Sequence, residues 1–469
     1  MPQIITRFPP SPTGYFHIGS ARTALFNFLF TKKNGGKIFL RFEDTDRERS
    51  KKEYETDILE SLNWLGISFN NTESVRQSER GEIYEKYLKK MIEKGNAYLS
   101  KESSPEENKR AEVIRFKNPN KKVKFDDIIR GEIEFDTTEL GDFVIAKSFY
   151  EPLYHLAVVI DDFEMGVTHV IRGEDGISNT PRQILIQEAI GAPRPIYAHI
   201  PLILAPDRSK LSKRHGAVSL NEYKNQGYLP EAMINYLALL GWNPGTDQEI
   251  FNMNELIDLF DLKRVQKSGA IFNIEKLDWI NKEHLKRLPI KTIQEEIGKR
   301  IFNFQFSISN EILEKIVPII LDRINKWSDV DQMLKSGELD WVFSARGGSA
   351  FGGKELNYKK ENLVWKKLEN DPNKFKITQD NLKEVLVRLE KISEDDFEEN
   401  KIKEAIWSFA EEKGRASPTS GRPDRGEVLW PMRYALSGLE KSPDPFVLAG
   451  ILGKKETIKR LKNTVELLN

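Results

Sequence analysis

The amino-acid sequence predicts an α/β fold in its first half, a parallel sheet covered by helices, and an all-α second half. Three patterns carry the prediction. Residues 4–42 read as strand, glycine-containing turn, helix and strand. Two nearly continuous apolar runs, at 156–160 and 167–171, have the composition of parallel strands covered on both faces. From about residue 290 onward, apolar residues recur at helical spacing.

The first strand comprises Ile4, Ile5, Thr6, Arg7 and Phe8. Pro9, Pro10 and Pro12 end it, because proline has no N–H to donate to a ladder. The loop that follows contains Ser11, Gly14, His17, Gly19 and Ser20. A helix comes next, with Ala21, Ala24, Leu25, Phe28 and Leu29 on one face. Residues 37–42 form the second strand, and Glu43, Asp44 and Asp46 stand at its end. Such a βαβ unit is of Rossmann type, and its ligands gather beyond the carboxyl ends of the strands. Free N–H groups and the helix dipole at the turn suit a phosphate. An ordinary loop with a surface histidine is the alternative. Asp44 and Asp46 read as groups that order the following turn. The run Ser50, Lys51, Lys52, Glu53 has the pattern of a capping box. It opens a helix carrying Tyr54, Ile58, Leu62 and Leu65 inward, closed by Gly66. A third helix, 82–94, turns Tyr84, Tyr87, Leu88 and Met91 inward.

Between 97 and 155 the texture changes to short strands, at 122–125 and 132–135, among charged residues. This reads as a module inserted between two halves of the sheet. The sheet resumes at 156–160 and 167–171, and Arg172 falls at the end of the second run. Asn179, Thr180 and Pro181 cap a helix with proline near its first position. A strand at 200–204 then leads into a basic loop, 207–216, in which Lys210, Lys213 and Arg214 can reach one anionic ligand; a solvated basic loop is the alternative. Pro230 opens a helix with Met233, Ile234, Leu237 and Leu240 inward. Amphipathic runs follow at 311–327, 381–392, 401–413 and 457–468, interrupted by Gly- and Arg-bearing loops near 346–353 and 414–426.

Composition narrows the function. A chain of 469 residues is too long for one core. Lys plus Arg and Asp plus Glu number 72 each, so nucleic acid must be met by a local basic face and not by net charge. There is no cysteine, which excludes disulfides and thiolate metal sites and fits a reducing cytoplasm. No His–carboxylate cluster has metal-ligand spacing, so no metal is assigned to the protein itself. No apolar run has the length of a membrane span, so no membrane partner is expected.

Two short motifs, far apart, resemble those of a known family. His17-Ile18-Gly19-Ser20 resembles the HIGH signature of class I aminoacyl-tRNA synthetases, and Lys210-Leu211-Ser212-Lys213-Arg214 resembles their KMSKS signature. The strings FPPSPTGYFHIGSARTALFNFLF, LRFEDTDRERS and VIRGEDGISNTPRQ are similar to the bacterial-type glutamyl-tRNA synthetase family in particular. The resemblance covers nearly the whole chain and is strongest to about residue 245. It implies a Rossmann catalytic domain in two parts, 1–96 and 156–218, split by a tRNA acceptor-end-binding module at 97–155. A stem-contact region at 219–290 and helical anticodon-binding domains at 291–375 and 376–469 complete the expected organisation. Some relatives hold zinc in the insert with cysteines; this chain has none, so no zinc is expected.

The implied activity has two steps. L-glutamate attacks the α-phosphate of ATP, with Mg²⁺ accompanying the nucleotide, to give glutamyl-adenylate and pyrophosphate. The terminal adenosine of tRNA(Glu) then takes the glutamyl group. Carried over position by position, His17, Gly19 and Ser20 meet the nucleotide, Ser20 replacing the signature's second histidine. Lys213 meets the leaving pyrophosphate with Lys210 and Arg214 in support. Arg7 and Tyr154 read the side-chain carboxylate of glutamate, Arg172 its α-carboxylate, and Glu43 and Ser11 its ammonium. Two carboxylates call for guanidinium forks and an ammonium for a carboxylate. Arg323 occupies the place of an arginine that favours the last base of the glutamate anticodon. Two positions depart from the family pattern: Val158, where relatives carry an amide, and Gly176, where a larger ring is expected. The resemblance also implies a cytoplasmic monomer. A form that charges tRNA(Gln) as well, and a glutaminyl-tRNA synthetase, stand as alternatives.

Overall fold

Strand β1 (Ile5–Phe8) lies parallel to β2 (Lys37–Phe42), Ile5 opposite Lys37 and Phe8 opposite Leu40, with helix α1 (Ile18–Lys33) crossing between them. This is the expected βαβ unit. The structure is a computed structural model and describes residues 3–101, 112–211, 219–343, 356, 358–416 and 423–469. The chain folds into two compact units, 1–284 and 285–469.

In the first unit, α2 (Lys52–Trp64) is followed by β3 (Val75–Arg76), which pairs parallel with β2, and by α3 (Gly81–Glu93). The segment 97–155, which reads in sequence as one module, contributes to two sheets. Strands β4 (Ala97–Lys101), β5 (Glu112–Phe116), β8 (Phe143–Ser148) and β9 (Glu151–Pro152) make a separate antiparallel sheet. The hairpin of β6 (Lys122–Asp127) and β7 (Gly131–Asp136) instead joins the main sheet. After helix α4 (Tyr154–Glu164), β10 (His169–Gly173), helix α5 (Thr180–Ile190) and β11 (Ile196–Ile200) complete that sheet in the order β10–β11–β6–β7. The two half-sheets meet where Thr168 N–H donates to Ile5 O and Ile5 N–H to Thr168 Oγ1, each at 2.9 Å. β1 thus has β2 on one side and β10 on the other. That is the switch point of an α/β sheet, where a crevice opens at the carboxyl ends of the strands.

Helix α1 is buried on more than the one face the sequence marks. Phe26, Asn27 and Thr31 are buried along with Leu25 and Leu29. The reason is a second layer: helices α6 (Leu220–Asn225), α7 (Pro230–Leu239) and α8 (Met253–Leu259) share one apolar core with α1, and Phe26 meets Phe260 edge-on. A separate core fills the space among α3, α4, α5 and the insert strands.

Several local expectations are corrected. The run 156–160 is helix, not strand. Residues 156–162 are all buried, so the run lacks the periodicity that would distinguish the two. The strand at 200–204 is two pieces, β11 and β12 (Ile203–Leu204), broken at Pro201 and Leu202, where proline cannot donate to a ladder. Ser50 forms no capping box. Lys51, whose N–H is bonded to Pro12 O, is the residue before the helix, and the Ser50 hydroxyl is buried without a partner among the described residues. Asn179 likewise precedes α5 without capping it through its side chain. Asp46 orders its turn by accepting from Arg49, whereas Asp44 reaches across to accept from the N–H and hydroxyl of Ser78.

The second unit is helical. Helix α9 (Ile274–Leu285) leads up to it, and α10 (Ile290–Asn303), α11 (Asn310–Arg323), α12 (Trp327–Ser336) and α13 (Asp340–Phe343) follow. The apolar run 311–327 is therefore two helices, broken at Ile324, whose backbone is extended. Helices α14 (Lys374–Glu390), α15 (Glu399–Lys413), α16 (Gly426–Ser437) and α17 (Pro445–Leu467) form the rest. Buried Arg460 of α17 ties them together, donating to the carbonyls of Trp341, at 2.9 Å, and Leu436. The loop near 346–353 and residues 417–422 of the loop near 414–426 lie outside the described residues.

Candidate active site

At the carboxyl ends of β1 and β10 lies a cavity of about 360 Å³. Its wall contains Arg7, Ser11, His17, Gly19, Ser20, Glu43, Tyr154, Arg172 and Lys210, every described residue that the sequence offers for the nucleotide and the amino acid. Lys213 and Arg214 lie outside the described residues. Val158 is buried and does not line the cavity, whereas Gly176 does.

One side of the cavity is built at the start of α1. His17 precedes the helix in extended conformation, and its Nδ1 accepts from the Ser20 N–H at 3.3 Å. Gly19 allows this fold-back: a Cβ there would stand 3.1 Å from His17 Nδ1. Lys210 enters from the far segment, placed by a tight turn in which Arg208 adopts a φ of 66° and Leu211 N–H donates to Ile203 O. Burial first, then the Lys210 charge, holds the His17 imidazole below its ordinary pKa, while Asp175 pulls the other way. The imidazole, the first turn of α1 and the Lys210 side chain face one space, an arrangement suited to phosphate oxygens.

The other side is a charged network. Arg7, 1% exposed, donates its Nε to Asp162 Oδ1 at 3.1 Å. Its Nη1 is buried with no partner among the described residues. Arg41 donates to the same carboxylate at 2.7 Å and to Glu43 Oε1 at 3.0 Å. Asp161 accepts from Gln77, Arg80 and Tyr84 at 2.7–2.9 Å. Burial alone would raise the Asp162 carboxyl; Arg7 and Arg41 outweigh it and hold it below its ordinary value. Burial pushes the Glu43 carboxyl up, against the pull of Arg41. On the opposite wall, Arg172 is 8% exposed and donates Nη2 to Thr180 Oγ1 at 2.8 Å and to Gly176 O at 3.0 Å.

Arg41, Asp161 and Asp162 are not singled out by the sequence. The helical state of α4 is what makes them a network. On a strand, neighbours point to opposite faces; on a helix, positions 154, 158, 161 and 162 share one side. Tyr154 at the start and the two carboxylates at the end of α4 thus serve one region. The one signal in the sequence is a pair of carboxylates directly after an apolar run. Among the described residues, no three His or carboxylate side chains converge as a metal site.

Comparison with known proteins matches the chain to two sequence families. The family described as tRNA synthetases class I (E and Q), catalytic domain, matches residues 3–110 and 101–279, and an anticodon-binding domain family matches 295–465. The glutamate–tRNA ligase of Carboxydothermus hydrogenoformans is 39% identical, over 97% of this chain and 98% of the relative. That of Aquifex aeolicus is 39% identical over the whole of both. A crystal structure of a glutamate tRNA ligase from Elizabethkingia meningosepticum in complex with its amino acid superimposes over both full chains, with a TM-score of 0.83 and 32% identity.

Proposed function

The chain belongs to the class I tRNA synthetases for glutamate and glutamine, and from that premise we propose which of its residues perform the glutamate–tRNA ligase reaction. The enzyme is an ATP-dependent ligase that joins glutamate to tRNA. The observation that carries the residue assignment is the single cavity shared by Arg7, Glu43 and Arg172 on one side and His17 and Lys210 on the other.

In this reading the side-chain carboxylate of glutamate meets Arg7 Nη1, the buried donor without a partner, and the Tyr154 hydroxyl. A buried unpaired donor is costly until a ligand satisfies it, which favours an anion there. Arg172 takes the α-carboxylate, and Glu43 and Ser11 the ammonium. The arriving ammonium stabilises the Glu43 carboxylate, which burial alone disfavours. ATP lies across the start of α1, with His17, the Gly19 N–H and Ser20 near its phosphates and Lys210 beside the β- and γ-phosphates. Lys213 and Arg214 join Lys210 there on sequence grounds. A glutamate carboxylate oxygen attacks the α-phosphorus, the bond to the β-phosphate breaks, and pyrophosphate leaves with its charge met by these cations. The terminal adenosine hydroxyl of the tRNA then attacks the activated carbonyl, and AMP leaves. Mg²⁺ enters with ATP as part of the substrate. Asp175 is the wall carboxylate that would hold it, since Glu43 is assigned to the ammonium.

Within unit two, Arg323 ends α11, with Nη1 3.9 Å from Glu338 and the side chain 31% exposed. We assign it to the anticodon base that distinguishes tRNA(Glu) from tRNA(Gln), so the enzyme discriminates. We also assign the chain to the cytoplasm and to a monomeric state. No helix of the described residues is long and apolar enough to cross a membrane.

ATP–pyrophosphate exchange, measured with and without tRNA, followed by aminoacylation of purified tRNA(Glu) and tRNA(Gln), tests the reading. Glutamate-dependent exchange that requires tRNA, with charging of tRNA(Glu), is expected. Exchange driven by glutamine in place of glutamate would overturn it.

A further inference from the structure

Behind Arg172 runs a line of hydrogen bonds that the reaction as described does not use. Asp127 ends β6 and His199 lies in β11; they are 3% and 0% exposed, and neither lines the cavity. Asp127 Oδ2 is 2.6 Å from His199 Nδ1. Across the ring, His199 Nε2 is 3.1 Å from Arg172 Nε. A guanidinium only donates. Nε2 must therefore be the acceptor, and the ring proton sits on Nδ1, facing the carboxylate. Thr180 agrees with this assignment: its hydroxyl accepts from Arg172 Nη2 and lies 3.1 Å from Gly176 O and 3.3 Å from His199 Nε2, so its one proton goes to Gly176 O or to Nε2, and in either case Nε2 stays an acceptor. Asp127 is itself anchored, accepting from the backbone N–H groups of Ile129, Arg130 and His199.

We propose that Asp127 and His199 are positioning residues for Arg172, with Asp127 fixing the Nδ1–H tautomer so that the bare Nε2 of His199 holds the Arg172 Nε–H. The guanidinium is then gripped along one edge, and its remaining edge is aimed at the amino-acid side of the cavity. The proposal rests on the reading of Arg172 as a glutamate ligand. The pair does not transfer a proton, because neither member reaches the cavity. It works only while the ring is neutral, since an imidazolium would oppose two N–H donors. The charged groups facing the ring are Asp127, Arg172 and Arg130. Burial, aided by the two arginines, holds His199 below its ordinary pKa against the pull of Asp127.

The test is steady-state aminoacylation by the full chain with glutamate and ATP varied separately, joined to nitrogen-15 NMR of labelled histidine. Asp127→Asn keeps a carbonyl oxygen for the backbone amides but turns an N–H toward Nδ1, which moves the ring proton to Nε2, against Arg172. The KM for glutamate should rise roughly 10- to 100-fold, the worth of a hydrogen bond to a charged group. The KM for ATP should change little. The NMR spectrum should report the Nε2–H tautomer in Asp127→Asn and Nδ1–H in the parent. His199→Gln, which presents an acceptor near the place of Nε2, should recover most of the glutamate affinity; His199→Phe should not. A shifted tautomer with unchanged glutamate KM would overturn the proposal, as would equal rises in both KM values. Arg172→Gln separates the two readings. If it leaves the glutamate KM unchanged, the role of Arg172 as ligand fails. The tautomer shift in Asp127→Asn then still decides whether the three side chains are coupled.

Discussion

Gly176 and Arg172 share a space that admits no side chain: a Cβ on residue 176 would stand 2.4 Å from Arg172 Nε and 2.8 Å from its Cδ. Glycine at 176 therefore has a local reason in this chain. The stem of Arg172 lies against the backbone of the short helical turn after β10, and Gly176 O accepts from its Nη2. Gly176→Ala should force Arg172 out of its slot, and Gly176→His should do so further. Displacement on the scale of 1 Å raises the glutamate KM or lowers kcat by about 10- to 100-fold. Kinetics of the two variants check this; activity equal to the parent would show that Arg172 is held by nothing at 176.

Asp162 carries two buried cations. Arg7 and Arg41 are 1% and 0% exposed, and each donates to it. Removing one partner of a buried ion pair leaves an uncompensated charge at a cost of about 3–5 kcal/mol. Asp162→Asn should therefore lose about that much stability in urea unfolding. A loss below 1 kcal/mol, roughly a surface pair's worth, would contradict the assignment.

His155 is the second residue of α4, and its Nδ1 is buried without a partner among the described residues. Burial, then Arg182 and Arg172, lowers its pKa to about 4, from 6.5 in an unfolded chain. The unfolded state thus binds more protons between pH 6.5 and 4, so stability rises with pH across that window. The contribution is whole above pH 6.5 and drains away as pH falls toward 4. His17, His169 and His199, also lowered, act in the same direction. Chemical denaturation from pH 7 to 4.5 should show the decline, and His155→Gln should flatten it. A parent protein whose stability is constant over that range would refute this.

Lys210 acts on His17 through space. With Lys210→Ala, the His17 pKa should move up toward its ordinary value, because the second cause of its depression is gone while burial remains. The same variant should lose about 2.7–4 kcal/mol of transition-state stabilisation if its ammonium meets the leaving phosphates. Histidine NMR titration and single-turnover adenylate formation measure the two effects independently.

Arg323→Gln should raise glutamylation of tRNA(Gln) relative to tRNA(Glu), read as the ratio of kcat/KM for the two purified tRNAs. An unchanged ratio would withdraw Arg323 from anticodon recognition.

Elements whose cues are local could be read from the chain before any fold was known. Proline after Phe8, a 3.6-residue apolar period from Ala21 and a second apolar run to Phe42 suffice for β1, α1 and β2. Arg7 stands next to the last residue of β1, His17 just before α1 and Glu43 just after β2, so half of the cavity wall was legible. That 156–160 is a helix emerges from packing alone. That run is buried on every side, and burial on every side erases the periodicity from which a state is read. The same holds for the pairs Arg41–Asp162 and Asp127–His199, separated by 121 and 72 residues. Nothing in the chain's local order brings such partners together. Burial makes each of these charges unstable alone, and the packing of α4 on the sheet, and of β6 beside β11, supplies its partner.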